Sequence, residues 1–137
     1  MKGSFGWTGF SEPDPAYSSY DLRIIHRDLA LSRLEKLRIV ADWDVAFQNF
    51  RVCLANVPDR LNCGKCEKCI RTMTELLAIA ALDKTKAFVE NDVTPELLAQ
   101  FDITIRHRDS FYREMLSPLK KQGRDDLVNT IKKMLAD

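Results

Sequence analysis

Four cysteines hold the most specific chemistry in this sequence. They fall as Cys53-x9-Cys63-Gly64-Lys65-Cys66-Glu67-Lys68-Cys69. A C-x-x-C turn bends two sulfurs toward one centre, and Gly64 has no Cβ to crowd it. Cys69 falls in the first turn of a following helix, where the backbone N–H ends favour a thiolate. Cys53 closes the group from upstream. Four thiolates suit a structural zinc, held in a tetrahedron with every position filled and none open for catalysis. A C-x-x-C-x-x-C run with a remote cysteine also suits an iron–sulfur cluster. The third reading is free thiols or disulfides. Neighbouring disulfides in a run spaced this closely would close small strained rings. Clustered thiols in a reducing compartment speak for metal, which makes the cytoplasm the expected location. Thiolates around Zn²⁺ leave net negative charge, and Arg60, Lys65, Lys68 and Arg71 stand nearby to offset it. The same cations offer an RNA its phosphate contacts, the alternative binding role.

Other candidates are weaker. His26 and His107 have no matched nucleophile, so neither is assigned as a catalytic base. Arg33 and Lys36 share a helical face that suits a phosphate or plain solvent. Asp42 and Asp44 flank Trp43, which reads as helix capping beside a buried indole. Gly3, Gly6 and Gly9 lack the preceding strand and following helix of a phosphate loop. No catalytic or nucleotide-binding residue is assigned, and no catalysis is expected of this chain alone.

The elements that must position the cysteines are mostly helical. Leu22–His26 carries branched residues and predicts a short strand. Phe50–Leu54 reads as extended and delivers Cys53. Ser32 and Glu35 form a capping-box pattern ahead of a helix over 33–41, and a short helix follows through Phe47. The longest helix begins at the cysteine cluster and runs to about Leu82, with Ile70, Met73, Leu76 and Leu77 on its apolar face. Thr94-Pro95-Glu96 starts a helix to about Phe101. Another spans about 109–121, with Pro118 predicted to kink or split it and Gly123 to end it. The last helix carries Leu127, Val128, Ile131, Met134 and Leu135. The fold class is thus mainly α, with one or two short β-strands near the N-terminus.

The cysteine pattern, with Asn62 before it and Ile70-Arg71-Thr72-Met73 after it, resembles the zinc site near the C-terminus of the 7-cyano-7-deazaguanine synthases and their uncharacterised relatives. Those enzymes belong to the PP-loop ATP pyrophosphatase superfamily. Ser32-Arg33-Leu34-Glu35-Lys36 is similar to a stretch upstream of the first cysteine in those relatives. The resemblance covers about residues 20–80. It implies zinc on the four cysteines, and a fragment of an α/β protein of the adenine-nucleotide α-hydrolase-like fold. The superfamily's Ser-Gly-Gly-x-Asp-Ser phosphate loop has no counterpart here, so its ATP-dependent chemistry transfers to no residue present.

Composition sets the remaining bounds. The chain has 137 residues, 45% hydrophobic and 30% charged, with a formal net charge of +1, which fits one globular domain and a flanking segment. The charge excludes a globally basic nucleic-acid binder. No apolar run suits a membrane span or a signal peptide. Residues 1–20 form a Gly/Pro-rich segment with Phe5, Trp7, Phe10, Tyr17 and Tyr20, and 21–137 form the helical metal-binding domain. So many rings predict that something covers them: the chain's own helices, a second copy of the chain, or a nucleotide-binding domain.

Overall fold

The computed structural model describes residues 13–27 and 30–136. The chain divides into two compact units, Met1–Ser32 and Arg33–Asp137. In the first, α1 is a single helical turn, Pro13–Ala16. Ser19 and Leu22 then exchange backbone hydrogen bonds of 2.8 and 3.4 Å. The N–H of Ile24 donates to the Ser18 hydroxyl at 2.8 Å instead of to a backbone carbonyl. A ladder needs successive backbone partners, and this segment closes one turn. The strand predicted at Leu22–His26 is therefore absent, and no strand occurs among the described residues. Tyr17 and Tyr20 are exposed. Phe5, Trp7 and Phe10, and the packing predicted for them, lie outside the described residues.

The second unit is helical. It contains α2 (Arg33–Ala41), α3 (Asp44–Asn49), α4 (Glu67–Ala78), α5 (Pro95–Leu98), α6 (Arg108–Lys121) and α7 (Asp125–Ala136). Two 3₁₀ turns, Leu82–Lys84 and Ile105–His107, lie between them. Helix α4 packs against α2, α5 and α6, while α3 packs on α2 and α7 on α5 and α6. Ile70, Met73 and Leu76 recur at helical spacing and are fully buried. Tyr112, Met115 and Leu119 of α6 and Leu127, Val128 and Ile131 of α7 complete the core. Each large apolar side chain so buried contributes about 1.5–3 kcal/mol.

Several boundaries differ from the sequence expectation for local reasons. Helix α4 stops at Ala78 because Ala80 takes a left-handed φ of 56° and the Ala81 N–H folds back onto the Leu76 carbonyl at 2.8 Å. Helix α5 has the expected Thr94 cap, whose hydroxyl accepts the Leu97 N–H at 3.3 Å. It lasts one turn because the chain bends after Leu98 to bring Ile103 into the core. Pro118 neither kinks α6 into two elements nor ends it, and the helix runs on to Lys121. Near the C-terminal end, proline deprives only the Glu114 carbonyl of its donor. Gly123 then ends the helix at φ 75°, with the Arg124 N–H on the Leu119 carbonyl. Trp43 is 66% exposed, and Phe47 takes the interior place predicted for the indole.

Candidate metal centre

Residues 50–66 have no helix or strand, so side chains must hold this stretch in place. Asn62 does most of it. Its side chain is buried, its Oδ1 accepts the Val52 N–H at 2.8 Å, and its Nδ2 donates to the carbonyls of Phe50 (3.2 Å) and Ala87 (2.9 Å). One amide thereby fixes the segment that delivers Cys53 beside the one that delivers Cys63. Arg51 braces the other side of Cys53, its Nε donating to the Cys53 carbonyl at 3.1 Å. Arg60 donates from Nε to the Asn62 carbonyl and from Nη2 to Glu90 Oε1, both at 2.6 Å.

The turn itself is a knuckle. The Cys63 sulfur accepts the backbone N–H groups of Lys65 (3.4 Å) and Cys66 (3.3 Å), and the Cys53 sulfur accepts the Cys63 N–H at 3.3 Å. Cys66 is the N-cap of α4 and Cys69 lies in its first turn, so the helix supplies two of the four sulfurs on a rigid base. The four Sγ atoms all lie within 4.8 Å of one another, and Cys63 and Cys69 are 3.8 Å apart. A tetrahedron with Zn–S bonds of about 2.3 Å has edges of about 3.8 Å. The residues therefore fit a single metal ion bound by sulfur alone.

Without an ion, the electrostatics favour the thiolate at one of the sulfurs, Cys63. Burial opposes the Cys63 thiolate, but the N–H groups of Lys65 and Cys66, helped by the Cys66 and Cys69 thiols, outweigh it and lower its pKa to about 7. Burial pushes Cys66 and Cys69 up. A bound cation reverses that tendency, because a coordinating thiol is deprotonated outright.

Gly64 is required for its backbone, and a side chain there would also push the Glu90 carboxylate aside. Its φ is 76°, and a Cβ there would overlap the Glu90 carboxylate. Gly64→Ala is expected to cost about 2–3 kcal/mol, read by thermal unfolding, with weaker metal retention. Adding Glu90→Ala should restore only part of the loss, since it removes the overlap and not the backbone strain.

Of the four cations named beside the cysteines, Lys65 and Lys68 are exposed, while Arg60 pairs with Glu90 and Arg71 faces Glu67. The cluster holds no histidine; His107 is exposed and His26 half-buried. Arg33 turns inward to Glu75 Oε1 (2.9 Å) and Thr72 Oγ1 (3.0 Å), while Lys36 stays in solvent. Asp42 and Asp44 are exposed and border a separate cleft of about 660 Å³ floored by Phe47, Ala78 and Pro118.

Sequence reasoning gave no role to Asn62, Glu67 or Glu90. Glu67 sits between two cysteines, and its carboxylate accepts the buried Tyr112 hydroxyl at 2.9 Å and faces Arg71 and Arg108 at 3.6 and 3.5 Å. The one signal was an acid embedded in the motif. Among the described residues, no helix is long and apolar enough to cross a membrane. Compared with protein-family models, curated proteins and solved structures, the chain matches none.

Proposed function

We propose that the chain is a structural zinc-binding module without catalysis of its own, the C-terminal part of a PP-loop ATP pyrophosphatase-like protein. The convergence of four sulfurs within 4.8 Å carries the zinc reading. In an iron–sulfur cluster the thiolates bind more than one iron and stand farther apart than around one ion. The four thiolates fill a zinc ion's coordination, which leaves it structural. The parentage rests on the resemblance of residues 20–80 to the 7-cyano-7-deazaguanine synthases, whose α/β nucleotide domain would be the partner.

Elemental analysis of freshly purified protein tests the metal. One zinc per chain is expected. A brown protein carrying iron would replace this reading with the iron–sulfur one, and metal-free protein with oxidised Cys63 and Cys66 would end both. The exposed Lys65 and Lys68 beside the sulfurs support RNA binding as a second reading. A salt-dependent gel shift, lost on replacing both lysines, is its expected result.

A further inference from the structure

The four sulfurs are not equally sheltered. Cys53 is 2% exposed and Cys69 is completely buried, while Cys63 and Cys66 are half-buried. One pair thus backs onto the core and the other lies toward solvent. A sulfur bound to a metal ion is held as the thiolate, and the thiolate is the form that attacks an oxidant. A small oxidant arriving from solvent meets Cys63 and Cys66 first.

Those two are also placed to bond each other. The Cys66 N–H donates to the Cys63 sulfur at 3.3 Å, and all four sulfurs lie within 4.8 Å. Cys69 is 3.8 Å from Cys63, but it is completely buried in the first turn of α4. Cys66 stands at the cap with an extended backbone, ahead of the helical residues. A bridge from Cys63 to Cys66 therefore closes within the turn and leaves the helix alone. It makes a small strained ring, and strained or exposed disulfides are the readily reduced ones.

We propose, resting on the zinc reading, that Cys63 and Cys66 are a peroxide-sensitive pair whose oxidation releases the metal. One thiolate attacks the O–O bond of hydrogen peroxide, giving a sulfenic acid and hydroxide. The second thiolate attacks that sulfur, forming the S–S bond and expelling a second hydroxide. The pair loses two electrons and the peroxide gains them. Cys53 and Cys69 are then the only thiolates left, too few for a structural zinc. The effect is local. Residues 50–66 have no helix or strand and lose their common anchor, whereas Ile70, Met73 and Leu76 keep α4 in the core. The exposed Leu54 and Val57 ride on the segment that is freed.

The test is a titration of the full chain with hydrogen peroxide, after purification under reductant and measurement of its zinc. A chelating dye reads the zinc released, peptide mass spectrometry reads each sulfur, and hydrogen–deuterium exchange reads the backbone. Loss of one zinc for each Cys63–Cys66 disulfide is expected, ahead of sulfoxide at the half-buried Met134. Exchange should quicken over residues 50–66 and stay unchanged in α4. Dithiothreitol with added zinc should reverse both effects. A chain without zinc before peroxide is added overturns the zinc reading, and this proposal with it. A zinc-loaded chain that keeps its metal until Met134 is oxidised overturns this proposal alone. So does first oxidation at Cys53 or Cys69, or a release that reduction does not reverse.

Discussion

Cys66→Ser should strip the metal from the chain and lower its stability by about 5 kcal/mol or more. Structural zinc in small modules supplies about 10–16 kcal/mol of apparent binding energy, and that energy is folding energy. Here the loss is smaller than in a bare zinc finger, because Met73, Leu76, Tyr112 and Ile131 form a core of their own. The damage should be localised. Residues 50–66 have no helix or strand to fall back on and are left with the bonds of Asn62, Arg51 and Arg60. Circular dichroism should retain most of the helical signal while the thermal midpoint falls. Elemental analysis and thermal unfolding on the same sample check both parts. Unchanged metal content with an unshifted midpoint would mean that the sulfurs meet for another reason.

Arg33→Met should be the next most damaging change, costing about 3–5 kcal/mol near pH 8 and less near pH 5. The Glu75 side chain is completely buried, and Arg33 is its bonded partner. Burial raises the Glu75 pKa above its ordinary 4.5, against the pull of Arg33 and Arg71 and with the push of Glu114. Tyr112 also faces it, from α6. A carboxyl raised on folding holds its proton more tightly in the folded chain. Its stabilisation is therefore complete below the unfolded pKa and is lost as pH rises through the folded pKa. Without Arg33 that folded pKa climbs further and the window widens upward. The variant should approach wild type as pH falls and diverge as it rises. Comparing the two proteins at each pH cancels the acid sensitivity of the metal site. Arg33→Met with Glu75→Leu should recover much of the loss, because no lone charge is left inside. A pH-independent difference would mean that Arg33 acts through packing alone.

The cysteines were legible because their information is local. Three of the sulfurs sit in a turn and the first turn of a helix, and Cys53 is close enough in sequence to be counted with them. Helix α4 was legible through the spacing of Ile70, Met73 and Leu76, and α5 through Thr94-Pro95. The parts that escaped depend on distant partners. Asn62 takes its meaning from Ala87, 25 residues away, and Glu67 from Tyr112, 45 residues away. The missing strand failed for the opposite reason. Branched residues at Leu22–His26 fit a strand by propensity, but a strand exists only with a neighbour to bond, and Ile24 bonds the Ser18 hydroxyl. The exposed Trp43 shows the limit of residue type as a guide to burial, since Phe47, four positions on, fills the space.

The two gaps between the sulfurs should drift differently as sequences diverge. From Leu54 to Asp59 the chain is exposed throughout, and Arg51 braces only its first residues. Lengthening such a loop is cheap, about 0.6 kcal/mol for each doubling. From Gly64 to Cys69 four positions are fixed: a left-handed glycine, a helix cap, an acid on Tyr112, and a sulfur one turn on. One inserted residue there would rotate Cys69 by about 100° around α4 and off the metal. A pattern meant to find distant kin should let the first interval stretch and hold the second rigid.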